Sequence, residues 1–294
     1  MLNFLHGIGF GLVTGSILAL ATVAVSLQFS VTSIPNLAQG EVMMLGAYAA
    51  YVTQSMIDNV VLEALAAIAV GALVAWAVYR FVLQSFVRSG TRNTTLLIVT
   101  LGVSLVLQNG LLAIFGGSYV PLRLSAGRPL DIGPFIWTWP NIVIMLVALA
   151  SLTGVHVVLK YTKFGKSQRA VADDPELARV TGIRSARVIQ LTWLWAGAMA
   201  GLSGFVLGIS IGGLVPSLGF QYLLVVFAAA VVGGLGQPYG AMLGALLIGV
   251  AMEVSAVYIP ADYKQGVALA ALILTLLFRP HGLIAARSRI VVGA

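Results

Sequence analysis

The chain has 294 residues, 60% hydrophobic and only 9% charged, with a mean hydropathy of +1.02. A soluble domain of this size could not bury so much apolar surface, so lipid must serve as its solvent. A net charge of +7 could suggest a nucleic-acid partner, and the lack of cysteine excludes disulfides and thiolate metal sites.

A membrane-spanning helix needs about 20 mostly apolar residues. On that ruler the expected spans are 4–27, 36–57, 60–81, 95–115, 141–159, 188–210, 220–235, 239–257 and 265–278. The first lacks the basic flank and small-residue cleavage site of a signal peptide, so it is expected to stay as a mature helix. The seventh and eighth are divided only by Gly236, Gln237 and Pro238, which makes eight to ten spans the defensible range. The expected fold is therefore all-α, a polytopic transmembrane helical bundle.

Basic residues then settle the sidedness. Thirteen of the sixteen Lys and Arg fall in three groups: Arg80, Arg88 and Arg92; Lys160, Lys163, Lys166, Arg169, Arg179, Arg184 and Arg187; and Arg279, Arg287 and Arg289. They alternate with apolar runs, as cytoplasmic loops do, which explains the charge without nucleic acid. Nine spans with the C-terminus inside would put the N-terminus outside.

Between the fourth and fifth spans, residues 116–140 carry Pro121, Pro129, Pro134 and Pro140 with Tyr119, Trp137 and Trp139. That composition suits an interfacial stretch of irregular backbone on the outer face. Arg123 and Arg128 lie there against the positive-inside rule, either as a contact for a delivery protein or in an ordinary loop. One internal echo is visible, since Gln39 and Gln237 are each followed five residues later by Met-Leu-Gly-Ala. Either a transporter-type repeat or chance among small-residue helices accounts for it.

The largest charged loop, 160–187, is too polar for lipid and reads as structured. Asp174 suits an N-cap, Pro175 the first helical position, Glu176 the positive helix end and Gly182 a left-handed stop. These signals predict a short helix over 175–181, preceded by another helical piece over 165–172 that carries Arg169 on one face. A rigid intracellular knob is what a membrane subunit needs if a soluble motor is to move it; a solvated charged loop is the bland alternative.

In that loop the sequence from Gly165 to Ile183, followed by Arg187-Val188-Ile189, resembles the cytoplasmic loop of the branched-chain amino acid permease family of ABC importers. Residues 15–20, Gly-Ser-Ile-Leu-Ala-Leu, and 36–41, Asn-Leu-Ala-Gln-Gly-Glu, are similar to the family's N-terminal motifs, and the Gly-rich run 233–244 to its C-terminal one. Leu37 stands where the family commonly has Phe and Gln39 where it has His. The resemblance implies one permease domain over 1–294, multi-pass in a bacterial inner membrane, with 160–187 as its coupling loop. It also implies a second homologous permease, two ATP-binding cassette subunits and a solute-binding protein outside as partners. By resemblance Gly165, Arg169, Ala170, Ala178, Gly182 and Ile183 meet an ATPase. Asp174 and Pro175 build the same knob, and Arg179 is expected within its reach.

Within the membrane, Asn36, Gln39 and Glu41 form a polar cluster beside Pro35 and Gly40. Polar groups at that depth face protein or water, so the cluster is either a pathway lining or an interfacial turn in which Glu41 caps the next helix. Gln108 and Asn109 are expected to bond between helices, and Glu253 either to line the route or, as its place six residues before Ile259 favours, to sit near the outer interface. Gly197, Gly201, Gly204, Gly208, Gly240 and Gly244 read as close-packing faces.

The three histidines are far apart, and no phosphate-cradling Gly-x-x-x-x-Gly-Lys-Ser/Thr run occurs. The sequence implies no cofactor, no resident metal and no ATPase activity of its own. The leading expectation is an importer subunit for branched-chain amino acids or another amino acid, amide or urea, working by alternating access. An ion-driven secondary transporter would need more intramembrane carboxylates than Glu41 and Glu253. A non-transporting scaffold would leave the polar, proline-broken second span unexplained.

Overall fold

A computed structural model of the chain describes residues 2–89, 91–122, 124, 130–132, 135–279 and 282–284. Among them twelve α-helices carry nearly all of the architecture. The first four are α1 (Leu2–Thr32), α2 (Gln39–Met56), α3 (Val60–Ala77) and, after a π-helical turn at Val78–Leu83, α4 (Gln84–Arg88). Next come α5 (Asn93–Phe115), α6 (Trp139–Tyr161), α7 (Lys163–Asp173) and α8 (Pro175–Val180). The chain continues through α9 (Ser185–Ile211), α10 (Leu218–Gly233), α11 (Pro238–Ser255) and α12 (Lys264–Phe278).

All nine expected spans are helical, but they divide into two kinds. Seven helical stretches are long and apolar enough to cross a bilayer, among them Asn3–Thr32, Val60–Val87 and Ser185–Ile211. The other two, α2 and the 16-residue α10, are more polar or shorter and pack inside the bundle. A buried helix needs neither the length nor the uniform apolar surface that lipid demands. The helices that do face outward carry Val106, Ile114, Leu149 and Leu277 largely exposed, a belt that is stable only against acyl chains.

Small residues bring the helices together, as expected. Without a hydrophobic drive between helices in lipid, close backbone approach supplies the packing energy. Along α1, Gly7, Gly11 and Gly15 pass in turn against Val254, Val250 and Leu246, so α1 and α11 lie antiparallel. On α9, Gly197 and Gly201 meet Gly71 and Ala67 of α3, and Gly204 meets Met43 of α2. A methyl group at any of these three α9 positions would strike a backbone carbonyl of the neighbouring helix.

The stretch expected to be irregular is partly paired. Strand β1 (Val120–Pro121) lies antiparallel to β4 (Gly213–Leu214), and β2 (Leu130–Ile132) pairs with β3 (Phe135–Trp137). Strands this short carry no readable alternation, and their ladders are backbone bonds that any sequence can make. Arg123 and Arg128 lie outside the described residues, as do Pro129, Pro134, His281, Arg287 and Arg289.

Candidate functional site

Two regions hold the residues singled out in the sequence. The first is a foot made of α7 and α8. The Thr162 hydroxyl accepts from the Gly165 amide at 3.1 Å and caps α7. Asp174 caps α8 by accepting from the amides of Glu176 and Leu177 at 2.8 and 3.0 Å. Thus α7 starts two residues before the expected 165, and α8 ends one before the expected Thr181. Gly182 leaves α8 at φ +86°, a conformation costly for a residue with a Cβ.

The foot is bound to the bundle rather than hung from it. Ser185 donates to the Pro175 carbonyl at 3.1 Å, and the Ile183 amide to Ala178 at 2.9 Å. Val171, Ala178 and Val188 form a small core of their own, with Phe164, Ala170 and Ile183 packed on it. Phe164 stacks on Trp195 of α9 at 6.1 Å. Gly165 sits so near the last turn of α6 that a methyl there would strike the Val158 and Leu159 carbonyls. Arg169 and Arg179 are both exposed.

Sequence reasoning missed two residues here. Leu177 is 62% and Val180 85% exposed, three positions apart on α8 and therefore on one face. Apolar side chains at that spacing on a helix too short to bury them were the available signal.

The second region is the turn between α1 and α2. Asn36 donates to the Gln28 Oε1 at 3.0 Å and to the Gln39 Oε1 at 3.2 Å, while its own Oδ1 accepts from the Ala38 amide at 3.1 Å. The Leu37 amide donates to the Thr100 hydroxyl on α5 at 3.3 Å. Asn36, Gln39 and Glu41 are no more than 2% exposed. Gly40 is pressed against the Gly219 backbone at the start of α10.

Glu41 does not cap α2, which begins without a side-chain cap. Neither of its carboxylate oxygens has a hydrogen-bond partner among the described residues, and Ser104 of α5 is its polar neighbour. The side-chain nitrogens of Gln28 and Gln39 are likewise unpaired. Unpaired buried polar groups are expensive, and each one in a fold calls for an explanation.

Other expectations fall out separately. Asn109 bonds the Leu105 carbonyl of its own helix at 2.7 Å rather than a neighbour, because it faces outward. Glu253 accepts from Lys264 at 2.7 Å and from Thr14 at 3.0 Å, tying together α11, α12 and α1. In the internal echo, the matched Gly46 and Gly244 are both close-approach positions, toward Gly201 and toward Ala229 and Gly233.

Comparison with known proteins meets this geometry. The family described as branched-chain amino acid transport system, permease component, matches residues 7–276. The high-affinity branched-chain amino acid transport system permease protein LivH of Escherichia coli K12 is 31% identical over 96% of both chains. BraD of Pseudomonas aeruginosa, with the same description, is also 31% identical over 96% of both. A probable LivH of Methanocaldococcus jannaschii is 27% identical over 92% of this chain and 90% of its own. With seven helices fit to cross a bilayer and a match over almost its whole length, the chain belongs to the branched-chain amino acid permease family of multi-pass membrane transport proteins.

Proposed function

We infer that the chain is one permease subunit of an ABC importer that admits branched-chain amino acids, or a chemically close small solute, across a bacterial inner membrane. It acts as one domain over 1–294. It pairs with a second, homologous permease, binds two ATP-binding cassette subunits through 160–187 and receives solute from a binding protein outside.

The observation that carries this reading is the exposed apolar pair Leu177 and Val180 at the tip of a foot that is capped, packed and stacked on α9. A stiff element transmits displacement where a loose loop would absorb it. Closure of the ATPases on ATP moves α8, and α7 passes the movement to α6 and α9 through Gly165, Phe164 and Ser185. Arg169, Ala170, Asp174, Pro175, Ala178, Arg179, Gly182 and Ile183 complete the coupling surface and its scaffold.

The cavity changes sides at the turn bearing Asn36, Gln39, Gly40 and Glu41. In the present conformation this turn is shut, and its unpaired amides and carboxylate are the groups that an opened pathway would hydrate. Solute must bind the two conformations with different affinity for the cycle to have a direction.

The test uses the cysteine-free chain directly. Arg179→Cys in the assembled complex is expected to crosslink to a cysteine placed in the ATPase groove, with ATP changing the yield. Leucine uptake that persists with no contact between Arg179 and any ATPase would overturn the docking. Concentrative uptake by the purified chain alone would overturn the importer assignment.

A further inference from the structure

Beside the foot, on its bundle side, lies an open cleft of about 470 Å³ that shares Arg169 with the proposed coupling surface but otherwise stands apart from it. It sits at the C-terminal end of α1, between the last turns of α6, the inner face of α7 and the turn that joins α10 to α11. Lys160 and Arg169 both line it, with the ring of His156. Among the described residues the one ion pair is Lys264 with Glu253, so neither cation of the cleft has a carboxylate partner. Asp173 is the single acidic residue on the wall, leaving the cleft net positive.

The neutral groups are arranged to the same end. Tyr239 brings its hydroxyl to 3.0 Å from the His156 Nδ1, fixing the ring at the mouth. Gln168 is only 3% exposed, lines the cleft, and makes no side-chain hydrogen bond among the described residues. Helix α11 opens there at Pro238 without a side-chain cap, so its positive end adds to the field.

We propose that this cleft binds the phosphate headgroup of an anionic phospholipid, which pins the coupling helix α7 to the α10–α11 turn. The shared chemistry is a phosphate ester, held by an ammonium, a guanidinium and an amide. The surroundings select the lipid over a free phosphate. Tyr161 and Tyr239 are exposed at the rim, and aromatic residues of that kind belong at the headgroup level. The Lys160 ammonium lies 5.4 Å from the centre of the neighbouring Tyr161 ring, an aromatic contact beside the cleft that Lys160 lines. Away from the cleft, α6 and α11 expose Leu149, Val157, Leu243 and Leu247, a surface along which acyl chains can lie. Basic pockets between helices on the cytoplasmic side are the usual hosts of such headgroups.

Native mass spectrometry of the purified full chain tests this without any ATPase, so its result is separate from that of the docking experiment. The wild type is expected to retain phosphatidylglycerol in preference to phosphatidylethanolamine by roughly tenfold. Lys160→Gln with Arg169→Gln should abolish that preference while the melting temperature stays unchanged. His156→Gln, which keeps a polar side chain, should weaken it less. Equal retention of both lipids by the wild type, or an undiminished preference in a folded double variant, overturns the proposal. Displacement of the lipid by millimolar inorganic phosphate overturns it as well, since the cleft would then be a site for the free ion.

Discussion

The foot and the turn are both polar insertions in an apolar chain, and they solve the problem of polarity in opposite ways. In the foot both helix N-termini are capped by a side chain no more than three positions away, and much of the surplus charge stands in water. In the turn the partners come from other helices, Gln28 from the end of α1 and Thr100 from α5, with Glu41, Gln39 and Gln28 keeping atoms unpaired among the described residues. The two parts thereby differ in where their hydrogen bonds go: those of the foot are local, and those of the turn cross between helices and leave buried polar atoms unpaired among the described residues.

The sharpest way to break this contrast is at Gly165. Gly165→Val forces α7 off the α6 carbonyls, and ATP-driven uptake is expected to fall below a tenth of wild type while the bundle keeps its melting temperature. A parallel loss of thermal stability would show that the foot is part of the folding core.

At the turn, Asn36→Ala removes the donor shared by Gln28 and Gln39 and leaves two more buried acceptors without partners. Unmet groups of this kind cost about 1–3 kcal/mol. Uptake should drop several-fold with membrane insertion retained, and Gln39→Ala should behave alike; normal uptake in both would remove the turn from the pathway.

A smaller effect is expected at the cap. Asp174→Ala should weaken α8 by about 1 kcal/mol and Asp174→Asn by much less, because both Asp and Asn accept from the amides of a first turn. The measurement is the ATP-dependent crosslink yield at Arg179, lowered in the first and restored in the second. Smallest of all, Glu253→Gln weakens the partly buried pair with Lys264 while keeping an acceptor for Thr14, and should change the melting free energy by about 1 kcal/mol, leaving uptake intact.

The same contrast explains what the sequence disclosed. Helix positions followed from hydropathy, because lipid imposes one rule over long stretches. The ruler stopped α1 at Leu27, although the helix runs to Thr32, since Gln28 looks like an exit to water and is in fact 1% exposed within the polar cluster. The foot was legible because capping is local, so Asp174, Pro175 and Gly182 announce it unaided. The turn was legible only as a set of polar residues. That Asn36 joins Gln28 to Gln39 across the break between two helices, and that the Leu37 amide meets Thr100, 63 residues on, depends on how the helices pack. The role of α2 and α10 as interior elements was hidden for the same reason, since burial among other helices relaxes the length that a bilayer would impose.

The wide turn at Val78–Leu83 carries a consequence of a different kind. A π-helical turn holds one residue more than an α-helical turn, so everything beyond it is rotated by roughly 100° relative to an uninterrupted helix. Beyond this offset Gln84 accepts from Gln190 of α9 at 3.3 Å, while within the turn Tyr79 lies 5.2 Å from the ring of Trp193. Deleting a single residue between 78 and 83 would restore a regular spiral and swing Gln84 to another azimuth. The helix therefore behaves there like a ratchet with discrete settings, and tolerates a change of side chain far better than a change in the number of residues.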